Sequence, residues 1–573
     1  MSLISHRFPH RWPAMPVRSL ALCAAMALAG CHTETAPQSV LDVSTDQAAV
    51  KPSIGELIGP AQRSEHRDGD DLLSAGLGLE GLRALQPPAL AQPESPTEAE
   101  LRRRAIWASW RGIADLRPGE HGEAYGDVAA VPGIETRAKG RLLSTGAEHH
   151  MLFQLPDSLA RERPCLVVTA ASGSRGEYGA IALAGGWGLP RGCAVVYTDK
   201  GAGTHWSQQG EVVQVPHATS AQQPDAQWGA FVLAAVEFGL QQLTLEGGAG
   251  GAFTPTNTQV LAFGVSNGGA AVLQATGLDG SVFDAVVAVA PNVLPATGGR
   301  ALYDYATEAA LLMPCAMLDA RFDQVPFARP QAIGEARCRH LQSRGEIEGA
   351  TTPEQSAAAL ARLREGGWTD AALDTAGFST AFDLWRAVGV TYASSYLGAE
   401  AASLPCGYRF EYRSADGQAV VASAAQQALW WSDSTGIPPS AGVVIVDPTS
   451  AAAPADDPAL AGLSCLRDLW LAEHSALPKA VAATRAGLPP TDLPLYVLHG
   501  DADGLVPMAF SSEPYIAWLR SQGRNPVFEP LAGAQHFDAY LGLPQWAGKH
   551  PALMPKAYAM MDRAVDALDN ASP

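Results

Sequence analysis

Gly264-Val265-Ser266-Asn267-Gly268 closes the run Thr258-Gln259-Val260-Leu261-Ala262-Phe263, and a helix-compatible stretch, 269–276, follows at once. A strand that ends in Gly-x-Ser-x-Gly and turns into a helix is how a nucleophilic serine is lifted on a sharp turn above a helix N-terminus. The pentapeptide alone proves little. With 57 glycines in 573 residues, chance supplies about 0.3–0.4 such matches, and an ordinary glycine-rich loop would read the same way. The surrounding pattern decides.

Outward from the serine, apolar runs alternate with helical ones. Strands are expected at 151–155, 164–171, 193–198, 258–265 and 283–290, with a helix of apolar periodicity at 227–245. Such alternation indicates a mostly parallel sheet covered on both faces, the α/β-hydrolase arrangement. The pattern then lapses, and residues 301–479 read as a large, mainly helical insertion or lid between the nucleophile and acid strands. Thr352-Pro353-Glu354-Gln355 opens one of its helices with a capping-box spacing. Sheet character returns at 495–498 and 527–529, with helices at 514–522 and 554–568. The core is therefore expected from 66–300 and 480–573.

A serine nucleophile needs a base, and the base an orienting acid, in the chain order Ser, acid, His on this fold. His499-Gly500-Asp501-Ala502-Asp503-Gly504-Leu505-Val506-Pro507 follows the 495–498 strand, and Gly533-Ala534-Gln535-His536 comes a helix and a strand later. Asp503 is the expected acid and His536 the expected base. Asp501 is the rival acid, Asp538 lies too near His536 in sequence to orient it, and His499 is expected to brace the acid loop. The oxyanion donors are expected to be the N–H of Asn267 and one from Ser172 or Gly173, in the loop after the 164–171 strand.

Composition sets bounds. A net charge of −19 argues against nucleic acid as a partner. Arg7, Arg11 and Arg18 precede the apolar stretch 20–29, which is too short to span a bilayer and reads as an export signal over 1–31. Leu28-Ala29-Gly30-Cys31 matches a bacterial lipoprotein cleavage box, which would leave Cys31 lipidated; a plain signal-peptidase site is the other reading. Export from a bacterial cytoplasm, as a secreted, periplasmic or outer-membrane-anchored protein, is expected. No later segment is expected to cross a membrane. Residues 32–65 look like a flexible tether. Six cysteines remain beyond Cys31, for which 15 pairings are open; Cys315–Cys338 and Cys406–Cys465 are the local choices. No Cys or His spacing suggests a metal, and no cofactor is expected. His149-His150 is expected at the surface, as are Arg102, Arg103 and Arg104 on a helix over 97–113. Asp68-Gly69-Asp70-Asp71 lacks the second half of a calcium loop and reads as a capped turn.

Four segments carry a likeness. Asp70-Asp71-Leu72-Leu73-Ser74-Ala75-Gly76-Leu77-Gly78, Ser172-Gly173-Ser174-Arg175-Gly176-Glu177-Tyr178-Gly179-Ala180, Tyr197-Thr198-Asp199-Lys200-Gly201-Ala202-Gly203 and the Ser266 elbow together resemble the bacterial D-(−)-3-hydroxybutyrate oligomer hydrolases. The resemblance runs from about residue 55 to the end. It implies a carboxylesterase that cleaves oligomers and dimers of 3-hydroxybutyrate to monomer after a polyester depolymerase, with Ser266 as nucleophile. The lipoprotein-like box and the compact length depart from that family. Such a substrate ends in a carboxylate, and Arg175 or Lys200, on loops at the carboxyl edge of the sheet, is the expected counter-charge. An aromatic carboxylesterase of the tannase or feruloyl type, and a non-catalytic envelope lipoprotein on a hydrolase scaffold, remain as alternatives.

Overall fold

Strands that are buried on both faces can be apolar at every position, and the centre of this protein is built from five of them. The computed structural model describes residues 53–571 apart from 118–127, 205, 221, 249–250, 327–330, 435 and 437–440; Cys31 and the expected export signal lie outside the described residues. Cys165–Ala170, Ala194–Thr198, Gln259–Val265, Ala285–Val289 and Leu495–Gly500 are almost wholly buried and pair in parallel, with Val527–Leu531 at one edge. This is an α/β-hydrolase sheet. Its order places Gln259–Val265 between Cys165–Ala170 and Ala285–Val289, so the Ser266 turn emerges mid-sheet at the carboxyl ends of the strands.

The other edge is antiparallel. Glu148–Pro156 pairs with Ala194–Thr198, then Gly133–Leu142 follows, and Gly55–Leu57 and Gln62–His66 complete ten strands. The expected tether therefore ends sooner than residue 65, because from Gly55 the backbone is spent on sheet hydrogen bonds. The helix Trp228–Glu246 lies against strands Cys165–Ala170 and Ala194–Thr198. Contrary to expectation, residues Pro224–Glu246 are long and apolar enough to cross a membrane by composition, but Phe231, Val232, Ala235 and Leu243 are buried in the core.

Between Ala285–Val289 and Leu495–Gly500 the chain forms helices at Leu302–Ala316, Gln331–Ser343, Thr352–Glu365, Asp370–Ala381, Leu384–Tyr396, Ala424–Ser432, Leu460–Leu471 and Leu477–Ala482. The capping box of Thr352–Glu365 uses Thr351 and Glu354, one residue before the expected pair. The region is not purely helical. Arg409–Tyr412 and Val443–Val446 join Ser207–Gln209 and Val212–Gln214 in a separate four-stranded sheet, which ties the insertion to the loop after Ala194–Thr198. Disulfides link Cys315–Cys338 and Cys406–Cys465, the two local choices, and also Cys165–Cys193.

Three of the four family-like segments meet in one largely buried polar network. Asp71 accepts from the N–H of Leu73 and Ser74, both at 2.7 Å, which makes the 68–71 run a capped turn. Arg102 is not outward: it donates to Glu135 at 3.1–3.2 Å, to Asp70 at 3.1 Å and to the Asp71 carbonyl at 2.9 Å. Glu135 also accepts from Tyr178, and from Gln154 at 3.1 Å, whose own oxygen accepts from Tyr197 at 2.7 Å. Burial raises the Glu135 pKa but Arg102 and Arg137 outweigh it and bring it down to about 2. A depressed carboxylate stabilises the fold above its unfolded value and loses that contribution as pH falls through the folded one. We therefore expect stability linked to Glu135 to fade between about pH 4.5 and pH 2. Glu135→Gln, which leaves Arg102 short of a buried counter-charge, should cost about 3–5 kcal/mol in urea unfolding at neutral pH; a loss under about 1 kcal/mol would contradict the network's structural role.

Candidate active site

Ser266 occupies a backbone conformation, φ 58° and ψ −125°, that a β-carbon resists. Its N–H donates to the Val289 carbonyl at 2.9 Å, and its carbonyl accepts from Asn292 at 3.1 Å and Ala270 at 3.0 Å. Gly268 lets the turn sit against the neighbouring strand, since a β-carbon there would lie 2.2 Å from the Ala170 carbonyl oxygen. The helix Asn267–Asp279 starts directly beneath.

Ser266 Oγ donates to His536 Nε2 at 2.9 Å, and His536 Nδ1 donates to Asp503 Oδ2 at 2.5 Å. The structure thus brings the three expected residues together from three loops. Asp503 is fully buried and accepts from Leu505 N at 2.9 Å, Val506 N at 2.7 Å and His499 Nε2 at 3.1 Å as well. Burial alone would raise its pKa; His536 and His499 overcome that and hold it far below the ordinary carboxylate value. His499 Nε2 also faces the Val506 carbonyl at 2.9 Å, so both its neighbours are acceptors and the proton belongs on Nε2. Asp501 instead accepts from the Gly533 N–H at 2.6 Å, and Asp538 from Leu553 N and Met554 N at 2.7 and 2.9 Å. Both rivals are committed to loop backbone.

Two cavities flank the serine. A small one of about 40 Å³ is lined by Ser266, Asn267, Gly173 and Ser174 together with Val388 and Tyr392 of the insertion. Of the expected oxyanion residues, Asn267 and Gly173 line it and Ser172 does not; the Asn267 N–H opens a helix and has no intrahelical acceptor. A larger cavity of about 410 Å³ lies on the His536 side, walled by Phe378, Leu384, Phe537 and Trp546. Helices of the insertion therefore roof both.

The two expected cations part company. Lys200 is wholly buried, lines neither cavity, and donates from Nζ to the Gly173 carbonyl at 2.5 Å. It cannot reach a substrate; its place is behind the oxyanion loop, where burial lowers its pKa to about 7. Arg175 is 4% exposed and does line the larger cavity. Burial lowers its pKa to about 10, so it stays cationic at neutral pH. The histidine pair is also corrected: His149 is buried against Thr198 at 2.8 Å and held near pKa 4 by burial, while His150 faces Asp199 at 3.2 Å.

One relay escaped the sequence reading. Ser174 Oγ donates to His217 Nδ1 at 2.7 Å, and His217 Nε2 donates to Asp225 at 3.1 Å, all three residues being buried. Ser174 N also donates to the Gly436 carbonyl at 2.6 Å. With Lys200 on one side and this relay on the other, the Gly173 peptide is fixed before any substrate arrives. Nothing in the sequence marks it, since Ser174, His217 and Asp225 lie in separate polar, Gly- and Pro-containing segments.

The 3HB-oligomer hydrolase (3HBOH) family model matches residues 40–215 and 206–571. The chain belongs to that family. A D-(−)-3-hydroxybutyrate oligomer hydrolase of Burkholderia vietnamiensis is 32% identical over 624 residues, covering 93% of this chain and 88% of the relative. A protein of the same description from Polaromonas sp. is 35% identical over 581 residues, covering 83% and 81%. Among solved structures, feruloyl esterase B from Aspergillus oryzae aligns at 12% identity and a TM-score of 0.36, over 86% of this chain and 82% of that one. The rice cell wall degrading esterase LipA from Xanthomonas oryzae aligns at 11% and 0.35, over 76% and 91%. Membership makes the protein a carboxylic ester hydrolase.

The braced loop makes a distinct prediction. Lys200→Met removes the donor to Gly173 without touching either cavity, so kcat on a neutral ester should fall about 100-fold, the scale of a lost oxyanion donor, with KM little changed. An unaltered kcat in a folded variant would show that the loop holds itself.

Proposed function

We propose that the protein cleaves D-(−)-3-hydroxybutyrate oligomers and dimers to monomer through an acyl-enzyme on Ser266. The observation that carries this reading is the Ser266–His536–Asp503 hydrogen-bonded chain in a member of the 3HB-oligomer hydrolase family. Ser266 Oγ attacks the ester carbonyl as its proton passes to His536 Nε2, and Asp503 steadies the resulting imidazolium. The N–H groups of Asn267 and Gly173 receive the charge that develops on the carbonyl oxygen. His536 returns the proton to the departing alkoxide, which leaves as the alcohol. A water then adds to the acyl-enzyme with His536 as base, and 3-hydroxybutyrate or a shorter oligomer is released.

Export through residues 1–31 with lipid attachment at Cys31 belongs to the same proposal, as it would put the enzyme where extracellular polyester fragments arrive. Radiolabelled palmitate should enter the wild type and not Cys31→Ser; equal labelling, or none in either, would leave the chain unanchored at that residue.

A substrate panel tests the activity: 3-hydroxybutyrate dimer and trimer, amorphous polymer, and galloyl and feruloyl esters. Dimer and trimer should be cleaved without the aromatic esters, and Ser266→Ala should lower kcat by roughly 10⁴-fold or more. Preferential cleavage of the aromatic esters would replace the substrate assignment. A fluorophosphonate that still labels Ser266→Ala would remove Ser266 as the nucleophile.

A further inference from the structure

A buried guanidinium ordinarily has a carboxylate beside it, as Arg102 has Glu135 and Arg337 has Asp457. Arg175 has none among the described residues. Its Nη2 donates to the Gly112 carbonyl at 3.1 Å, its plane lies 5.6 Å from the Phe537 ring centre, and its Nε is buried without an acceptor. The fork is thus held in place with donors to spare. It shares the 410 Å³ cavity with His536, and among the described lining residues there is no Asp or Glu. Arg175 and His536 are the only basic side chains among the described lining residues, and Phe378, Phe382, Phe537, Tyr540 and Trp546 are its aromatic part. Phe382 and Tyr540 are partly exposed and form the rim.

The position of His536 says which half of the ester this cavity receives. The group that protonates the departing alkoxide must face it, so the leaving alcohol lies on the His536 side, while the acyl carbonyl lies over Ser266, Asn267 and Gly173 in the smaller cavity. We propose that Arg175 is a specificity-determining residue that binds the free carboxylate of the leaving alcohol portion. Resting on the proposed substrate, this makes the enzyme work from the carboxyl end: the terminal hydroxybutyrate unit, anchored by its carboxylate, is expelled as the first product, and the remaining acyl chain stays on Ser266. A buried cation with no carboxylate beside it among the described residues would also disfavour a neutral polymer interior, which brings no charge to satisfy it.

Two matched pairs of substrates test the anchor: the hydroxybutyrate dimer and its methyl ester, and 4-carboxyphenyl butyrate and phenyl butyrate. Wild type should favour the acid in each pair. Arg175→Met, which keeps bulk and loses charge, should raise KM for the acids about 10- to 100-fold and leave the neutral partners nearly unchanged. Arg175→Lys should recover part of the preference, and retained turnover of phenyl butyrate reports that the variants are folded. A trimer labelled in its carboxyl-terminal unit should release labelled monomer first. Equal effects on acid and neutral members, or no preference in wild type, would overturn the anchor. If the aryl pair responds as expected while hydroxybutyrate esters are not cleaved at all, the anchor stands and the proposed substrate falls.

Discussion

The strained turn at Ser266 is the constraint around which the rest of the protein is arranged. Holding a serine at φ 58° and ψ −125° costs on the order of 1–3 kcal/mol, and it persists only where its surroundings over-determine it. Here they do. The Val289 carbonyl holds the Ser266 N–H, Asn292 holds its carbonyl, and the Ala170 strand packs so closely that position 268 must lack a side chain. The two neighbouring parallel strands thereby fix Ser266, and the loops after the next two carry Asp503 and His536 to it.

A second layer of order lies behind the oxyanion loop. The segments 70–78, 172–180 and 197–203 put few side chains into the cavities beside Ser266. Asp70, Asp71, Tyr178 and Tyr197 instead converge on Arg102, Glu135 and Gln154, a largely buried network in which Arg102 faces both Glu135 and Asp70. Lys200 and the Ser174–His217–Asp225 relay extend that order to the Gly173 peptide. Preorganised dipoles stabilise a transition state because they need not reorient when charge appears. Arg175 stands apart within this design, as a buried cation on the wall of the larger cavity with no carboxylate beside it among the described residues.

Legibility in the sequence followed burial chemistry. Strands buried on both faces, such as Cys165–Ala170 and Ala285–Val289, announce themselves as apolar runs, and the loops bearing Ser266 and Asp503 follow such runs directly, while the His536 loop follows the partly exposed edge strand Val527–Leu531. Gly133–Leu142 did not stand out because Glu135, Thr136 and Arg137 interrupt it; Glu135 and Arg137 find their partners, Arg102 and Glu177, only once the chain is folded. Gln62–His66 is polar for the same reason that an edge strand can be, with one face in water. His149 was expected at the surface and Lys200 at the substrate; both are buried, and their partners, Thr198 and the Gly173 carbonyl, come from elsewhere in the chain. The small sheet joining 207–214 to 409–446 pairs segments about two hundred residues apart, which no local pattern encodes.

The central claim is that one serine, Ser266, carries the acyl group between the two halves of the reaction. Rapid acid quenching during hydrolysis of the hydroxybutyrate dimer, followed by peptide mapping by mass spectrometry, reads this directly. A single 3-hydroxybutyryl adduct on the peptide containing Ser266, absent from Ser266→Ala, is the predicted result. An adduct on Ser174 or another residue, or full turnover by Ser266→Ala, would contradict the account.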